Sequence, residues 1–112
     1  MLESKIQSTI IDYLKILENQ GRLFFHRSNN NTVYDPVGKK FRSLAKGQKK
    51  GFPDIIVLAD KRFIGLEVKS EKGYQSKEQK EIEKSFLKQG CEYYVVRSLD
   101  DVKNALGAYI TR

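Results

Sequence analysis

The chain has 112 residues and a net charge of +7, with 39% hydrophobic and 31% charged residues. This length fits a single domain, residues 1–112, and this composition excludes both a disordered chain and an integral membrane protein. No apolar run approaches the roughly 20 residues of a spanning helix, and the amino terminus has no apolar segment with a cleavage site, so we expect a cytoplasmic protein.

The first part of the chain predicts a helix, a strand and a long connection. Residues 4–19 place apolar side chains at helical spacing, and Gln20 with Gly21 ends the helix. Those side chains are Ile6, Ile10, Tyr13, Leu14 and Leu17. Residues 22–28, RLFFHRS, are typical of a strand. The polar connection that follows, residues 29–50, exceeds the usual length and is therefore either functional or mobile.

Most of the excess positive charge lies in residues 39–50 of this connection, KKFRSLAKGQKK, which we call the basic segment. It supplies six of the seven excess charges through Lys39, Lys40, Arg42, Lys46, Lys49 and Lys50. Such a concentration is typical of a nucleic-acid-binding surface, because lysine and arginine displace the counterions of the phosphate backbone. A loop that only keeps the protein soluble explains the same charges, and both interpretations stay open.

Two strand-like runs come next, DIIVL and FIGLEVK. A two-residue turn at residues 60–61 would place Asp54 directly opposite Glu67, with Lys69 on the same face of the hairpin. The alternate residues would then face the core. These are Ile55, Val57, Ile64, Leu66 and Val68.

The last third of the chain predicts a helix, a strand and a helix. Ser76 and Gln79 match a capping box that opens the helix at residues 76–89. Its buried stripe would be Gln79, Ile82, Phe86 and Leu87. Residues 91–98 predict a strand, and a final helix would carry Val102, Leu106 and Tyr109. The order αβββαβα predicts an α/β fold with a central mixed four-stranded sheet flanked by helices.

The charged end of the hairpin suggests a metal site. Two adjacent carboxylates repel each other unless a cation lies between them, and oxygen ligands favour Mg²⁺ or Mn²⁺. With Lys69 beside such an ion, the set fits hydrolysis of a phosphodiester by an activated water. In the alternative, Asp54 begins a strand and Glu67 forms a surface ion pair with Lys69, but the nearby basic segment favours the metal site.

Four motifs in order resemble the virus-type replication-repair nuclease (VRR-NUC) branch of the PD-(D/E)xK nuclease superfamily. They are a helix that begins Glu3-Ser-Lys-Ile-Gln7, then Gly51-Phe-Pro-Asp54, then Glu67-Val-Lys69, and then Ser76-Lys-Glu-Gln79. The resemblance implies a restriction-endonuclease-like fold and a nuclease activity.

The same resemblance implies roles for individual residues. The catalytic residues would be Asp54, Glu67, Lys69 and Gln79. The metal ligands would be Asp54, Glu67, the main-chain carbonyl of Val68, and Glu3 directly or through water. Gln79 is explained equally well as the capping-box partner of Ser76, so its role stays open.

The sequence therefore predicts a Mg²⁺- or Mn²⁺-dependent DNA endonuclease whose basic segment grips the phosphate backbone. Stand-alone members of the VRR-NUC branch that it resembles are similar to Holliday-junction resolvases in acting as dimers on branched DNA, so the resemblance implies a homodimer that cleaves structures such as Holliday junctions in viral replication, recombination or repair. We expect neither an organic cofactor nor a membrane partner. The alternative is a non-catalytic DNA-binding module on the same scaffold.

Overall fold

The computed structural model of the protein describes residues 2–28 and 46–111, together with the backbone of residues 34–35 and 40–41. The helices are α1 (Glu3–Asn19), α2 (Lys77–Lys88), α3 (Leu99–Leu106) and α4 (Ala108–Thr111). The strands are β1 (Phe24–Arg27), β2 (Tyr34–Asp35), β3 (Lys40–Phe41), β4 (Ile55–Ala59), β5 (Arg62–Val68) and β6 (Glu92–Val96).

Four of the strands form one mixed sheet in the order β1-β4-β5-β6. Strands β1, β4 and β5 pair antiparallel, and β6 pairs parallel to β5 after the crossover through α2. The predicted α/β fold with a mixed four-stranded sheet flanked by helices is confirmed. The sequence did not predict the separate two-stranded ribbon of β2 and β3, which lies in the long connection.

The β4–β5 hairpin has the register that the sequence predicts. Ala59 pairs with Arg62 and Ile55 pairs with Leu66. The two turn residues between them both have positive φ, 47° at Asp60 and 65° at residue 61. That combination is the backbone of a type I′ turn, which matches the twist of the strands it joins. The turn therefore fixes which residues of the two strands face each other.

The hydrophobic core lies on one face of the sheet, beneath α1 and α3. All five hairpin residues predicted to face the core are fully buried: Ile55, Val57, Ile64, Leu66 and Val68. The helices contribute the buried side chains of Ile6, Ile10, Leu14, Leu17, Val102 and Leu106. Among the residues described, no helix has both the length and the apolarity needed to cross a bilayer.

Helix α2 covers the opposite face of the sheet less completely than predicted. Its stripe of Gln79, Ile82 and Phe86 is half-buried, and Leu87 is 57% exposed. The prediction that Leu87 belongs to a buried stripe is wrong. Helical spacing shows which side of a helix is apolar, but the depth of burial depends on the partner surface.

The carboxyl-terminal helix is interrupted where the sequence predicts a continuous one. α3 ends at Leu106, and Gly107 has a φ of 89°, so the short α4 begins in a new orientation. Tyr109 is consequently 71% exposed, and Ile110 is buried in its place. The prediction of one final helix that carries Val102, Leu106 and Tyr109 is wrong, because the chain breaks at Gly107 and Tyr109 belongs to the separate α4.

Arg62 ties together three elements at the turn end of the hairpin. Its guanidinium donates to both carboxylate oxygens of Glu92, each at 2.7 Å, and to the carbonyl oxygens of Ala105 and Leu106 at 3.0 and 2.8 Å. The hydrogen bond to Arg62 also holds the pKa of Glu92 below its ordinary value. One side chain therefore joins β5, β6 and the carboxyl end of α3.

We expect Arg62→Lys to lower the free energy of unfolding by about 1–3 kcal/mol, because an ammonium cannot reproduce the bidentate pair and the two carbonyl contacts together. Urea unfolding followed by circular dichroism measures the change. Arg22→Lys is the control, since Arg22 donates to a single carbonyl, that of Ile110 at 3.2 Å. Equal effects of the two substitutions would contradict this expectation.

Candidate active site

The start of β4 brings the Asp54 carboxylate against β5. The main-chain N–H of Val68 donates to Asp54 Oδ2 at 2.8 Å. On the other side, the main-chain N–H of Ser28 donates to the carbonyl oxygen of Asp54 at 2.8 Å. Asp54 is therefore fixed by the strands on both sides, and its side chain lies beside the Glu67–Val68 peptide.

Glu67 lies next to Asp54 and is shielded from water. Within residues 2–28 and 46–111 it is the only charged side chain that is fully buried, at 1% exposure. Burial raises the pKa of Glu67 to about 9, and the hydrogen bond and negative charge of Asp54 contribute in the same direction. The Glu67 carboxyl group therefore keeps its proton at neutral pH when no cation is present.

Lys69 completes a three-residue cluster at the end of β5. Its positive charge acts on Glu67 and opposes the rise in the pKa of that carboxyl group. Its main-chain N–H donates to the carbonyl oxygen of Val96 at 3.0 Å, so β6 holds the backbone at this point. The structure thus brings together Asp54, Glu67 and Lys69, the three residues that the sequence singled out in the hairpin.

Two glycines allow the loop before Asp54 to pass between the sheet and α2. Gly51 has a φ of 86°, and a Cβ there would lie 2.7 Å from the main-chain nitrogen of Gln79. A Cβ on Gly65 would lie 2.8 Å from Pro53 Cγ and 2.9 Å from the ring of Phe86. Phe86 also packs edge-on against Phe52, with ring centroids 5.6 Å apart. Helix α2 is therefore held directly against the loop that carries Asp54.

The structure explains Gln79 as a capping residue. Its Oε1 accepts a hydrogen bond from the main-chain N–H of Ser76 at 2.8 Å, and its own N–H donates to Ser76 Oγ at 3.1 Å. The predicted capping box is confirmed. A second role for Gln79 in supporting the carboxylates stays a prediction.

Glu3 does not join the carboxylate pair in this structure. It is exposed in the first turn of α1. No group of three or more His, Cys, Asp or Glu side chains that could hold a metal ion occurs among the residues the structure describes. The contribution of Glu3 to metal binding therefore stays a prediction, as does that of the Val68 carbonyl.

The basic segment reaches the amino-terminal end of α2. Lys46, Lys49 and Lys50 are exposed, and Lys50 Nζ lies 3.8 Å from Glu78 Oε1. This contact and the close approach of Gly51 place the end of the segment against the first turn of α2. The other predicted DNA-binding side chains, those of Lys39, Lys40 and Arg42, lie outside the described residues.

Sequence reasoning missed one residue that contacts the site, Tyr93. Its hydroxyl donates to Glu67 Oε1 at 3.4 Å, and its side chain is 5% exposed. Burial and the charge of Glu67 raise the pKa of Tyr93, so it stays a protonated donor. Tyr93 lies beside Gly65 in the parallel β5–β6 pairing, a register that no local sequence signal reveals.

The cluster has the chemistry that a hard divalent cation requires. Its oxygen donors match the preference of Mg²⁺ and Mn²⁺, and a cation would relieve the cost of keeping a carboxyl group buried beside a second one. The raised pKa of Glu67 is the sign of that cost in the cation-free protein. Asp54 and Glu67 therefore fit a divalent metal ion, with main-chain carbonyls and water left to complete the coordination.

A comparison with solved structures finds the same fold in a protein described as a VRR_NUC domain protein. The two share 22% sequence identity, with a TM-score of 0.68, over 98% of this chain and 88% of the other. No family model and no curated protein matches the sequence. This chain therefore has the fold of a VRR_NUC domain.

We expect Glu67→Gln to make the metal-free protein more stable relative to wild type as the pH rises. The folded state keeps the Glu67 proton up to a pH of about 9, whereas the unfolded chain releases it near the ordinary value of 4.5. Wild type therefore loses stability with rising pH between these values, by up to roughly 1.4 kcal/mol per pH unit from this one group. Glutamine has no proton to lose.

Urea unfolding in the presence of a chelator at pH 5, 6.5 and 8 measures this difference. Glu78→Gln is the control, because the Glu78 side chain on α2 is 45% exposed and its pKa is lowered, not raised. Parallel pH profiles of wild type and Glu67→Gln would show that Glu67 is ionised in the folded protein.

Proposed function

We propose that this protein is a DNA endonuclease that depends on a divalent metal ion, Mg²⁺ or Mn²⁺. The observation that carries the proposal is the buried carboxyl group of Glu67, held beside Asp54 and Lys69 at the end of one hairpin. The fold shared with a VRR_NUC domain protein supports a nuclease-type domain. Buried carboxyl groups with a perturbed pKa are expected at catalytic sites more than at structural ones.

Asp54 and Glu67 would hold the metal ion, with Glu3 and the Val68 carbonyl as further ligands. When bound, the ion supplies an activated water and neutralises charge on the phosphate. Asp54 is already oriented for this task by the N–H of Val68. Glu67 must first release its proton, because a carboxylate binds a cation only when ionised.

Lys69 would act on the water and the phosphate. Its positive charge already acts on Glu67, and beside a bound substrate it would donate to the attacking water and offset the negative charge that grows on the phosphoryl oxygens. Gln79 would serve as a further support of the site from the start of α2. The lysine therefore has a role in the transition state, whereas the carboxylates bind the ion in every state.

The basic segment would bind the DNA backbone next to this centre. Its exposed lysines Lys46, Lys49 and Lys50 lie along the approach to α2, and Lys39, Lys40 and Arg42 would extend the same contact. On the motif resemblance we further propose that the substrate is branched DNA, such as a Holliday junction, cut by a homodimer in viral-type replication, recombination or repair. Contacts from the lysines and the metal ion to phosphate groups would not depend on the base sequence, so the site would not be sequence-specific.

Asp54→Asn and Lys69→Met should separate metal binding from catalysis. The asparagine can still accept the Val68 N–H but removes a charged ligand, so we expect it to abolish Mn²⁺ binding in calorimetry and to lower nicking at least about 100-fold. Lys69→Met should lower nicking similarly and leave Mn²⁺ binding within about twofold. Lys72→Met, an exposed lysine of the next loop, should change neither.

If both variants nick DNA at the wild-type rate, the assignment of the active site to Asp54 and Lys69 is refuted. Salt-sensitive DNA binding with no metal requirement and no cleavage of single-stranded, duplex, flap or four-way-junction DNA would instead identify a non-catalytic DNA-binding module.

Replacing Lys49 and Lys50 together by serine should weaken DNA binding uniformly across substrates. Each lysine that neutralises a phosphate contributes about one unit to the slope of log affinity against log salt, so the double variant should lower that slope by up to about two. Fluorescence anisotropy at several salt concentrations, with a chelator to prevent cleavage, measures it. Lys15→Ser, on the exposed side of α1, is the control, because it removes one lysine charge outside the basic segment. An unchanged slope would show that these lysines do not contact DNA and only help to keep the protein soluble.

A further inference from the structure

A row of polar side chains leads from α2 to the buried carboxyl group. Gln75 Nε2 donates to Glu83 Oε1 at 3.1 Å and lies 3.5 Å from the hydroxyl of Tyr93. That hydroxyl lies 3.4 Å from Glu67 Oε1. The four residues come from a loop, a helix and two strands, and only Glu67 belongs to the motifs of the sequence. Their contacts therefore exist only in the folded chain.

The chemistry of these groups gives the row a fixed direction. A carboxylate only accepts, so Glu83 turns the amide nitrogen of Gln75 towards itself. The second N–H of that amide then points at the Tyr93 oxygen. A phenolic hydroxyl has a single hydrogen, and with its oxygen accepting from Gln75, that hydrogen is directed at Glu67.

Tyr93 is also rigidly placed. Its ring is 5% exposed and packs edge-on against Phe86, with centroids 5.7 Å apart. Its neighbour on β5 is Gly65, which has no side chain to displace it. A donor held this firmly limits the rotation of the Glu67 carboxyl group. Its hydrogen bond occupies Oε1 and does not involve Oε2.

We propose that Tyr93 is a positioning residue of the metal site, and that Gln75 and Glu83 hold its hydroxyl in the donating orientation. This inference rests on the proposed metal-binding role of Glu67. Hydrogen bonds to metal-binding carboxylates orient the ligand before the ion arrives, and their removal typically weakens metal binding about 10–100-fold. The two contacts are long, at 3.4 and 3.5 Å, as hydrogen bonds at catalytic sites often are before the ligand binds.

Tyr93→Phe tests the inference, because it removes the hydroxyl and keeps the ring against Phe86. We expect Mn²⁺, titrated calorimetrically into the full chain without DNA, to bind about 10–100-fold more weakly. Tyr94→Phe is the matched control, since its hydroxyl donates to Glu92 Oε1 at 2.6 Å, away from the site. It should bind Mn²⁺ as wild type does. Thermal unfolding of both variants checks that the fold is retained.

A double-mutant cycle tests the row itself. Gln75→Met keeps the side-chain length but cannot donate, so we expect it to weaken Mn²⁺ binding in the wild-type background and to have no further effect in the Tyr93→Phe background. Additive effects would show that Gln75 does not act through Tyr93 and would overturn that part of the proposal.

The outcomes separate this inference from the function on which it rests. If wild type binds Mn²⁺, Asp54→Asn does not, and Tyr93→Phe binds as tightly as Tyr94→Phe, then the positioning role is refuted and the nuclease stands. If wild type binds no Mn²⁺, both the positioning role of Tyr93 and the proposed metal-dependent nuclease are refuted.

Discussion

The antiparallel register of β4 and β5 is the constraint on which the rest of the structure depends. Side chains alternate between the faces of a strand, so a slip of one residue would turn Glu67 into the core and expose Leu66. The type I′ turn at Asp60 and the fully buried opposite face both oppose that slip. The core and the candidate site therefore lie on opposite faces of the same strand pair, so a change in the β4–β5 register would disrupt both.

That pairing also explains how a small domain tolerates a buried carboxyl group. Keeping Glu67 away from water beside Asp54 is unfavourable, as its raised pKa shows. The opposite face of the same two strands offsets this cost with apolar burial that excludes water almost completely. In this arrangement the destabilising group is the one that would gain most from binding a cation, which is the physical basis of the proposed function.

The hairpin and the helix caps could be predicted because their signals are local. The length of the turn sets which residues of β4 and β5 face each other. Ser76 and Gln79, three residues apart, indicate the start of a helix. Tyr93 could not be predicted, because its place beside Gly65 depends on a parallel pairing formed across a helical crossover. The exposure of Leu87 and the break at Gly107 could not be predicted for a related reason. The spacing of apolar residues shows which face of a helix is apolar, but it does not show what packs on that face or where the helix is interrupted.

Helix α2 connects the parts of the proposed site although it contributes no fully buried residue. Its amino-terminal end meets Gly51 and Lys50 at the end of the basic segment, Phe86 packs against the sheet at Gly65, and Glu83 begins the row that ends at Glu67. A helix held by contacts at its surface can shift at lower cost than one locked in a core. The position of α2 therefore affects both the end of the basic segment and the row of polar side chains that reaches Glu67, so in the proposed function a shift of this helix would alter DNA binding and metal binding together.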